Sequence, residues 1–329
     1  MIGILLFNLG GPERLEDVRP FLYNLFSDPE IINLPAILRK PLAAFIAVTR
    51  GPKSRGYYAK IGGGSPLRRV TVEQGRALEA RLAERGYQVR TYVGMRAWHP
   101  FIGEAVDELL ADGVTDLVVL PLYPQFSVST TGSSTKELYR NLWRRGGVRG
   151  VRRRYITRWH EHPAYIDAVA RGIAAELAKF PDPSSVHLLF TAHSIPISYI
   201  DKGDPYQRQT EATVRRVLER VPAGLEHTLA YQSKVGPVKW LEPSTESQLR
   251  ALGERGVAQV LAIPISFVSD HIETLYEIDI LYRELAEAAG IAHFRRTAAL
   301  GLDRGFIDGL ADLVIERLGP ALRERSAPA

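Results

Sequence analysis

The chain has 329 residues, 45% of them hydrophobic and 24% charged, with a formal net charge of +5 and no cysteine. That length is too great for one comfortable core and fits two domains. Lack of cysteine excludes disulfides, thiolate metal ligands and cysteine nucleophiles, and a mild positive charge spread over scattered arginines and polar helix faces argues against a nucleic-acid partner.

At the N-terminus, Met1-Ile-Gly-Ile-Leu-Leu-Phe7 runs straight into a strand pattern, with no basic n-region or cleavage site ahead of it, so a cytoplasmic protein is expected. The stretch from Ile31 to Val48 is unusually apolar but is broken by Pro35, Arg39, Lys40 and Pro41. It falls short of the ~20 apolar residues a membrane span needs. It either packs on the body or forms an exposed apolar lip.

Gly62-Gly-Gly-Ser-Pro66 lacks the following Lys-Ser/Thr and the Gly-x-Gly-x-x-Gly spacing of phosphate loops, so a tight turn or a backbone lining a ligand is the better reading. Helical periodicity then marks Thr71 to Arg85 and Pro100 to Ala111. Tyr123 to Ser134 is rich in hydroxyls and suits either ligand binding or the capping of turns. His193 follows an apolar run, and imidazole there can accept a proton or bind a metal. Further helices are predicted over Tyr206 to Arg220 and Thr245 to Glu254, the latter opening with a Thr245-x-x-Gln248 capping-box pattern. Pro264 to Asp279 begins as a strand and becomes a helix on which Asp270, Glu273 and Glu277 share one side, beside His271. Such a row suits cations or protons, although acids also suit a first helical turn, and Asp270-x-x-Glu273 fits a capping box. A last amphipathic helix, about Arg304 to Leu322, carries Phe306, Leu310, Leu313, Val314 and Leu318 on one stripe.

Two sets of three apolar runs repeat in the same order: Ile4–Leu9, Val89–Val93 and Asp116–Leu122, then His187–Thr191, His227–Tyr231 and Gln259–Ile265. Strands alternating with helices predict an α/β fold of two similar Rossmann-like domains, each a parallel sheet flanked by helices. The expected divisions are 1–170 with the lip at about 31–48, 171–303 with His193 and the acidic helix, and 304–324 packing back on the body. Ligands in such folds bind at the C-terminal strand ends, which here carry Leu9 to Pro12, Arg96, Tyr123 to Ser134, His193, Ser233 to Pro237 and Ser266 to Glu273.

Seven segments in this order resemble the ferrochelatases, enzymes that insert ferrous iron into a porphyrin: Leu6-Phe-Asn-Leu-Gly-Gly-Pro12, Ile61-Gly-Gly-Gly-Ser-Pro66, Tyr92-Val-Gly-Met-Arg96, Tyr123 to Ser134, Thr191-Ala-His-Ser-Ile-Pro196, Tyr231-Gln-Ser-Lys-Val-Gly-Pro237 and Ser269 to Asp279. The resemblance implies a chelatase-like fold of two Rossmann-like halves around a porphyrin cleft. It implies catalytic and metal-facing roles for His193 and Glu273, and a proton or iron path through Asp270, His271 and Glu277. Porphyrin contacts fall on Leu9, Arg96, Tyr123, Ser129 and Trp240. Ferrous iron is then a substrate, no cofactor is bound permanently, and the iron–sulfur cluster of some relatives cannot form without cysteine. The lip matches the segment that touches the membrane in many relatives, so peripheral membrane association is implied.

Ala97 stands where many relatives carry an aromatic. Leu9 stands where coproporphyrin-using relatives usually carry tyrosine, which with the lip favours protoporphyrin IX over coproporphyrin III. The competing readings are a cobalt or nickel chelatase for a cobalamin-type tetrapyrrole, a porphyrin- or haem-binding carrier that does not chelate, and a nucleotide-binding α/β protein.

Overall fold

The computed structural model describes residues 1–146, 150–234, 236 and 238–319. Val235 and Pro237 of the Tyr231–Pro237 motif, and the end of the expected 304–324 segment, lie outside the described residues. The chain forms two compact units, one of Met1–Trp159 together with the segment from Phe306, the other of His160–Gly305.

The first unit is built on a four-stranded parallel sheet, β1 (Ile2–Asn8), β2 (Val89–Met95), β3 (Asp116–Pro121) and β4 (Arg152–Tyr155), in the order β2-β1-β3-β4. The second repeats the plan with β5 (His187–His193), β6 (His227–Gln232), β7 (Gln259–Pro264) and β8 (His293–Arg296), in the order β6-β5-β7-β8. The internal repeat read from the sequence is thus a repeat of topology. Every residue of β1, β3 and β7 is buried, as expected for central parallel strands covered on both faces, which read as unbroken apolar runs.

The helices of the first unit are α1 (Val18–Phe26), α2 (Ala36–Lys60), α3 (Leu67–Glu84), α4 (Ile102–Ala111) and α5 (Ser133–Arg144). Those of the second are α6 (Pro163–Leu177), α7 (Ile197–Asp201), α8 (Tyr206–Leu218), α9 (Thr245–Glu254) and α10 (Arg283–Ala288). The last helix, α11 (Arg304–Leu318), returns to the first unit, where Asp308 and Asp312 pair with Arg81 of α3 and Arg85 just beyond its end. Its stripe of Phe306, Leu310, Leu313, Val314 and Leu318 is buried. The cap of α9 is Ser244 rather than Thr245: the Ser244 hydroxyl accepts from the Ser247 amide.

The apolar stretch near the N-terminus becomes the first half of α2, which runs on through Pro41 and Pro52. Ala43 and Ala47 face the body, while Ile37, Leu38, Phe45 and Val48 stand in solvent. This stretch thus buries its small side chains and leaves its large apolar ones exposed. Among the described residues no helix is long and apolar enough to cross a membrane.

Candidate functional site

The C-terminal ends of β5, β6 and β7 carry the chemically interesting side chains of the second unit. His193 is the last residue of β5, and its amide donates to Ser266 Oγ at 3.0 Å just beyond β7. After Ser266 the chain turns, and from Glu273 to Tyr282 it winds as a π-helix before continuing into α10. The sequence patterning read an ordinary helix here. A π turn holds one more residue than an α turn, so Glu273 and Glu277, four apart, come closer to alignment than an α-helix would bring them.

The two acids are held differently. His193 Nδ1 donates to Glu273 Oε2 at 2.8 Å. Glu277 Oε2 accepts from Ser233 Oγ and, at 3.1 Å, from Gln232 Nε2, which also reaches the Glu273 carbonyl. Ser233 adopts φ +66°, in the left-handed region that few side chains other than Asn or Asp enter. That bend at the end of β6 turns its hydroxyl onto Glu277. The helix is capped at Ile272 rather than Asp270, and the Glu273 carboxylate is engaged by His193.

The electrostatics follow from this packing. Burial works against a charged His193, but the charge and hydrogen bond of Glu273, aided by Glu277, raise its pKa above the usual histidine value. Burial would raise Glu273, yet the facing His193, with His271 and Ser233, holds it well below the usual carboxylate range. For Glu277, burial and then repulsion from Glu273 prevail over Ser233, His193 and Gln232 and push it up to about 7. Burial lowers the pKa of His271, opposed chiefly by Glu273; its Nδ1 donates to the Ser269 carbonyl at 3.2 Å, and its Nε2 lies 3.9 Å from Glu273 Oε2. One carboxylate is thus held as an anion against an imidazole whose protonation it favours, and its neighbour exchanges its proton near neutrality.

His193, His271, Glu273 and Glu277 therefore form one cluster. Asp270 is in the same segment but is otherwise engaged: its Oδ1 accepts from Thr274 Oγ1 and from Arg296 Nη1, both at 2.9 Å. Arg296 also grips Asp279 with two parallel hydrogen bonds of 2.8 and 2.7 Å, so the row of acids is partly neutralised. Trp240 forms a short antiparallel bridge with Pro196, and its buried Nε1 has no hydrogen-bond partner among the described residues. Sets of three or more metal-ligating side chains are absent among the described residues; His193 and Glu273 supply two donors, so any metal they meet must bring other ligands with it.

In the first unit, Arg96 follows β2 and is held by its own chain. Its Nη2 lies 3.0 Å from the buried Asp28, and its Nε donates to Ser133 Oγ at 2.7 Å; Ser133 in turn donates to Asp28. Tyr123 places its hydroxyl beside this network near Ser134, where burial raises the phenol pKa. Leu9 leaves the end of β1 with its amide bonded to Asn8 Oδ1 at 2.9 Å and its carbonyl to the Ala97 amide at 2.8 Å. Ser129 lies in a π-helical turn, Val128–Gly132, with its hydroxyl 3.0 Å from Ser127 Oγ. The glycine-rich turn packs tightly: a Cβ on Gly64 would lie 2.1 Å from the Glu13 carbonyl oxygen, and the Ser65 amide donates to Pro12 O at 2.7 Å.

Sequence reasoning missed Gln232, Asp28 and Arg296 as parts of these networks. Gln232 sat in a quoted motif beside Ser233, but nothing in spacing marks Asp28 or Arg296, whose partners are distant in the chain.

Comparison with known proteins places the chain in a family. The family model described as Ferrochelatase matches residues 1–318. The chain is 54% identical to the ferrochelatase of Gloeobacter violaceus over 97% of its own length and 98% of that protein. It is 56% identical to a ferrochelatase of a Synechococcus strain, over 95% of this chain and 91% of the relative. Among solved structures, the sirohydrochlorin chelatase SirB of Bacillus subtilis in complex with cobalt aligns over 97% of both chains with a TM-score of 0.55 at 11% identity. DR2241 of Deinococcus radiodurans aligns with a TM-score of 0.54 at 15% identity, over 98% of this chain and 56% of that one. At such identities the structural likeness speaks for the fold alone.

Proposed function

The chain belongs to the ferrochelatase family, and on that premise we propose that it inserts ferrous iron into protoporphyrin IX, releasing two protons, as the terminal step of protohaem synthesis. It is a metal chelatase, a lyase. The observation that carries the assignment of chemistry to residues is the hydrogen-bonded His193–Glu273 pair backed by Glu277, a carboxyl that titrates near neutrality.

A free porphyrin holds two inner N–H protons, and both must leave as the dication enters. His193 uses Nδ1 toward Glu273, and its Nε2 makes no hydrogen bond among the described residues, so Nε2 is the atom assigned to the pyrrole proton. Glu273, held as a carboxylate, stabilises the imidazolium that results. Glu277, with a pKa of about 7, is suited to take the proton onward and release it to water. His271 and Asp270 extend the path, Asp270 with its charge offset by Arg296. The macrocycle brings four nitrogen ligands of its own, which agrees with a site that offers two protein donors.

Porphyrin contacts are assigned, on the family resemblance, to Leu9, Arg96, Tyr123, Ser129 and Trp240. The engagement of Arg96 by Asp28 and Ser133 supports a role in shaping the wall rather than in gripping a carboxylate. The apolar Leu9 and the exposed lip of α2 support the less carboxylated protoporphyrin. The lip also supports peripheral attachment to a membrane.

The test is anaerobic metal insertion followed by porphyrin absorbance, with protoporphyrin IX and coproporphyrin III in parallel and Glu273→Gln as control. Faster turnover of coproporphyrin would overturn the substrate assignment. Tight binding of both without turnover would overturn the chemistry.

A further inference from the structure

Beside the lip, the first unit has a cavity of about 520 Å³ between the start of α2, the N-terminal turn of α4 and the outer face of α5. Its walls carry five cationic side chains, Arg39, Lys40, Arg96, Arg140 and Arg144, against two acids, Asp28 and Glu137. The acids are already matched: Asp28 pairs with Arg96, and Glu137 with Arg140. Arg39 donates to the carbonyls of Ser27 and Leu34, which hold the guanidinium in place without neutralising it. Lys40 and Arg144 are exposed and have no carboxylate partner among the described residues. Three positive charges are thus left in excess around one concave site.

The surroundings are those of a membrane interface. Ile37 and Leu38, directly preceding Arg39 and Lys40, are 81% and 57% exposed; Phe45, two turns on, is 64% exposed. On the α5 side, Trp143 is 68% exposed and precedes Arg144, with Tyr139 one turn earlier. Apolar side chains for the acyl boundary, aromatics for the headgroup level and lysine or arginine beside them is the arrangement expected of a peripheral helix on an anionic leaflet.

We propose that this cavity between α2 and α5 is a seat for the phosphate headgroup of an anionic phospholipid, so that the lip inserts where such lipids are present. The inference rests on the membrane reading of the lip and adds lipid selectivity to it. Lys40 and Arg144 make the phosphate contacts, Arg39 supplies background charge, and Ile37, Leu38 and Phe45 enter the acyl boundary.

The experiment is flotation of the full chain with vesicles of phosphatidylcholine alone or mixed with phosphatidylglycerol, for the wild type and a Lys40→Gln/Arg144→Gln variant. Inorganic phosphate binding is measured by calorimetry in parallel. The wild type is expected to prefer the mixed vesicles, and the variant to lose roughly thirty-fold of that binding while keeping its affinity for phosphatidylcholine. Equal preference in wild type and variant would overturn the seat. Equal wild-type binding to both vesicle types would overturn lipid selectivity and leave the lip reading standing. Binding to neither would remove both. Phosphate binding abolished in the variant, without any vesicle preference, would replace the lipid with a free anion and overturn the proposal.

Discussion

His193 Nδ1 and Glu273 Oε2 lie 2.8 Å apart across 80 residues of chain, joining the end of β5 to the start of the π-helix that follows β7. Each partner favours the other's charged form: Glu273 raises the pKa of the imidazole against its burial, and His193 lowers that of the carboxyl against its own. Replacing either partner should leave the fold and remove the reaction. For Glu273→Gln and His193→Ala we expect metal insertion to fall roughly 10²-fold or more, with an unchanged circular dichroism spectrum. A rate within a factor of two of wild type would remove the pair from the chemistry.

Glu277 gives a prediction in pH. Folded, it keeps its proton up to about pH 7, whereas the unfolded chain releases it near the ordinary carboxyl value of 4.5. Between those values the folded state binds more protons, so this group makes stability decline as pH rises through that window. Glu277→Gln removes the titration. Its midpoint of thermal unfolding relative to wild type should therefore rise by several degrees between pH 5 and pH 8, at roughly 2–4 °C per kcal/mol for a domain of this size. A difference that stays flat with pH would contradict the raised pKa.

Arg296 is the counter-ion of the acidic segment, 9% exposed and bonded to both Asp270 and Asp279. Arg296→Leu leaves two partly buried carboxylates facing each other's field. We expect a loss of about 2 kcal/mol in urea unfolding, with Arg296→Lys recovering only part of it because an ammonium cannot make the paired contact to Asp279. Metal insertion should suffer far less than in Glu273→Gln.

The exposed stripe of α2 predicts partitioning. Leu42→Ser with Phe45→Ser removes two large apolar side chains, each worth roughly 1.5–3 kcal/mol when fully buried. Vesicle binding should fall about 10²-fold, while turnover of detergent-solubilised porphyrin persists. Unchanged flotation would take the lip out of membrane contact.

The core of this fold was legible because central parallel strands have no polar side: Ile2–Asn8, Asp116–Pro121 and Gln259–Pro264 are all buried and read as apolar runs. The edge strands β4 and β8 escaped notice, since four residues such as Arg-Arg-Arg-Tyr, mostly half-buried, carry no apolar run. Helix α2 was obscured by Pro41 and Pro52, which ordinarily argue against a continuous helix. At the site, His193 and Glu273 could be found from their positions after apolar runs. The grip of Arg296 on two acids and of Asp28 on Arg96 could not, because an ion pair between distant segments leaves no periodic trace.

The π-helix from Glu273 to Tyr282 has a consequence for how this chain tolerates change. A segment wound with one surplus residue per turn is sensitive to count before it is sensitive to chemistry. Deleting one residue between Glu273 and Glu277 would let it relax to the tighter α winding and swing one carboxylate away from either His193 or Ser233, even if every remaining side chain were kept. Away from Glu273 and Glu277, substitutions in this stretch can be absorbed singly; a change of length cannot, and a library of single deletions scanned across it should lose function at every position while neighbouring loops accept them.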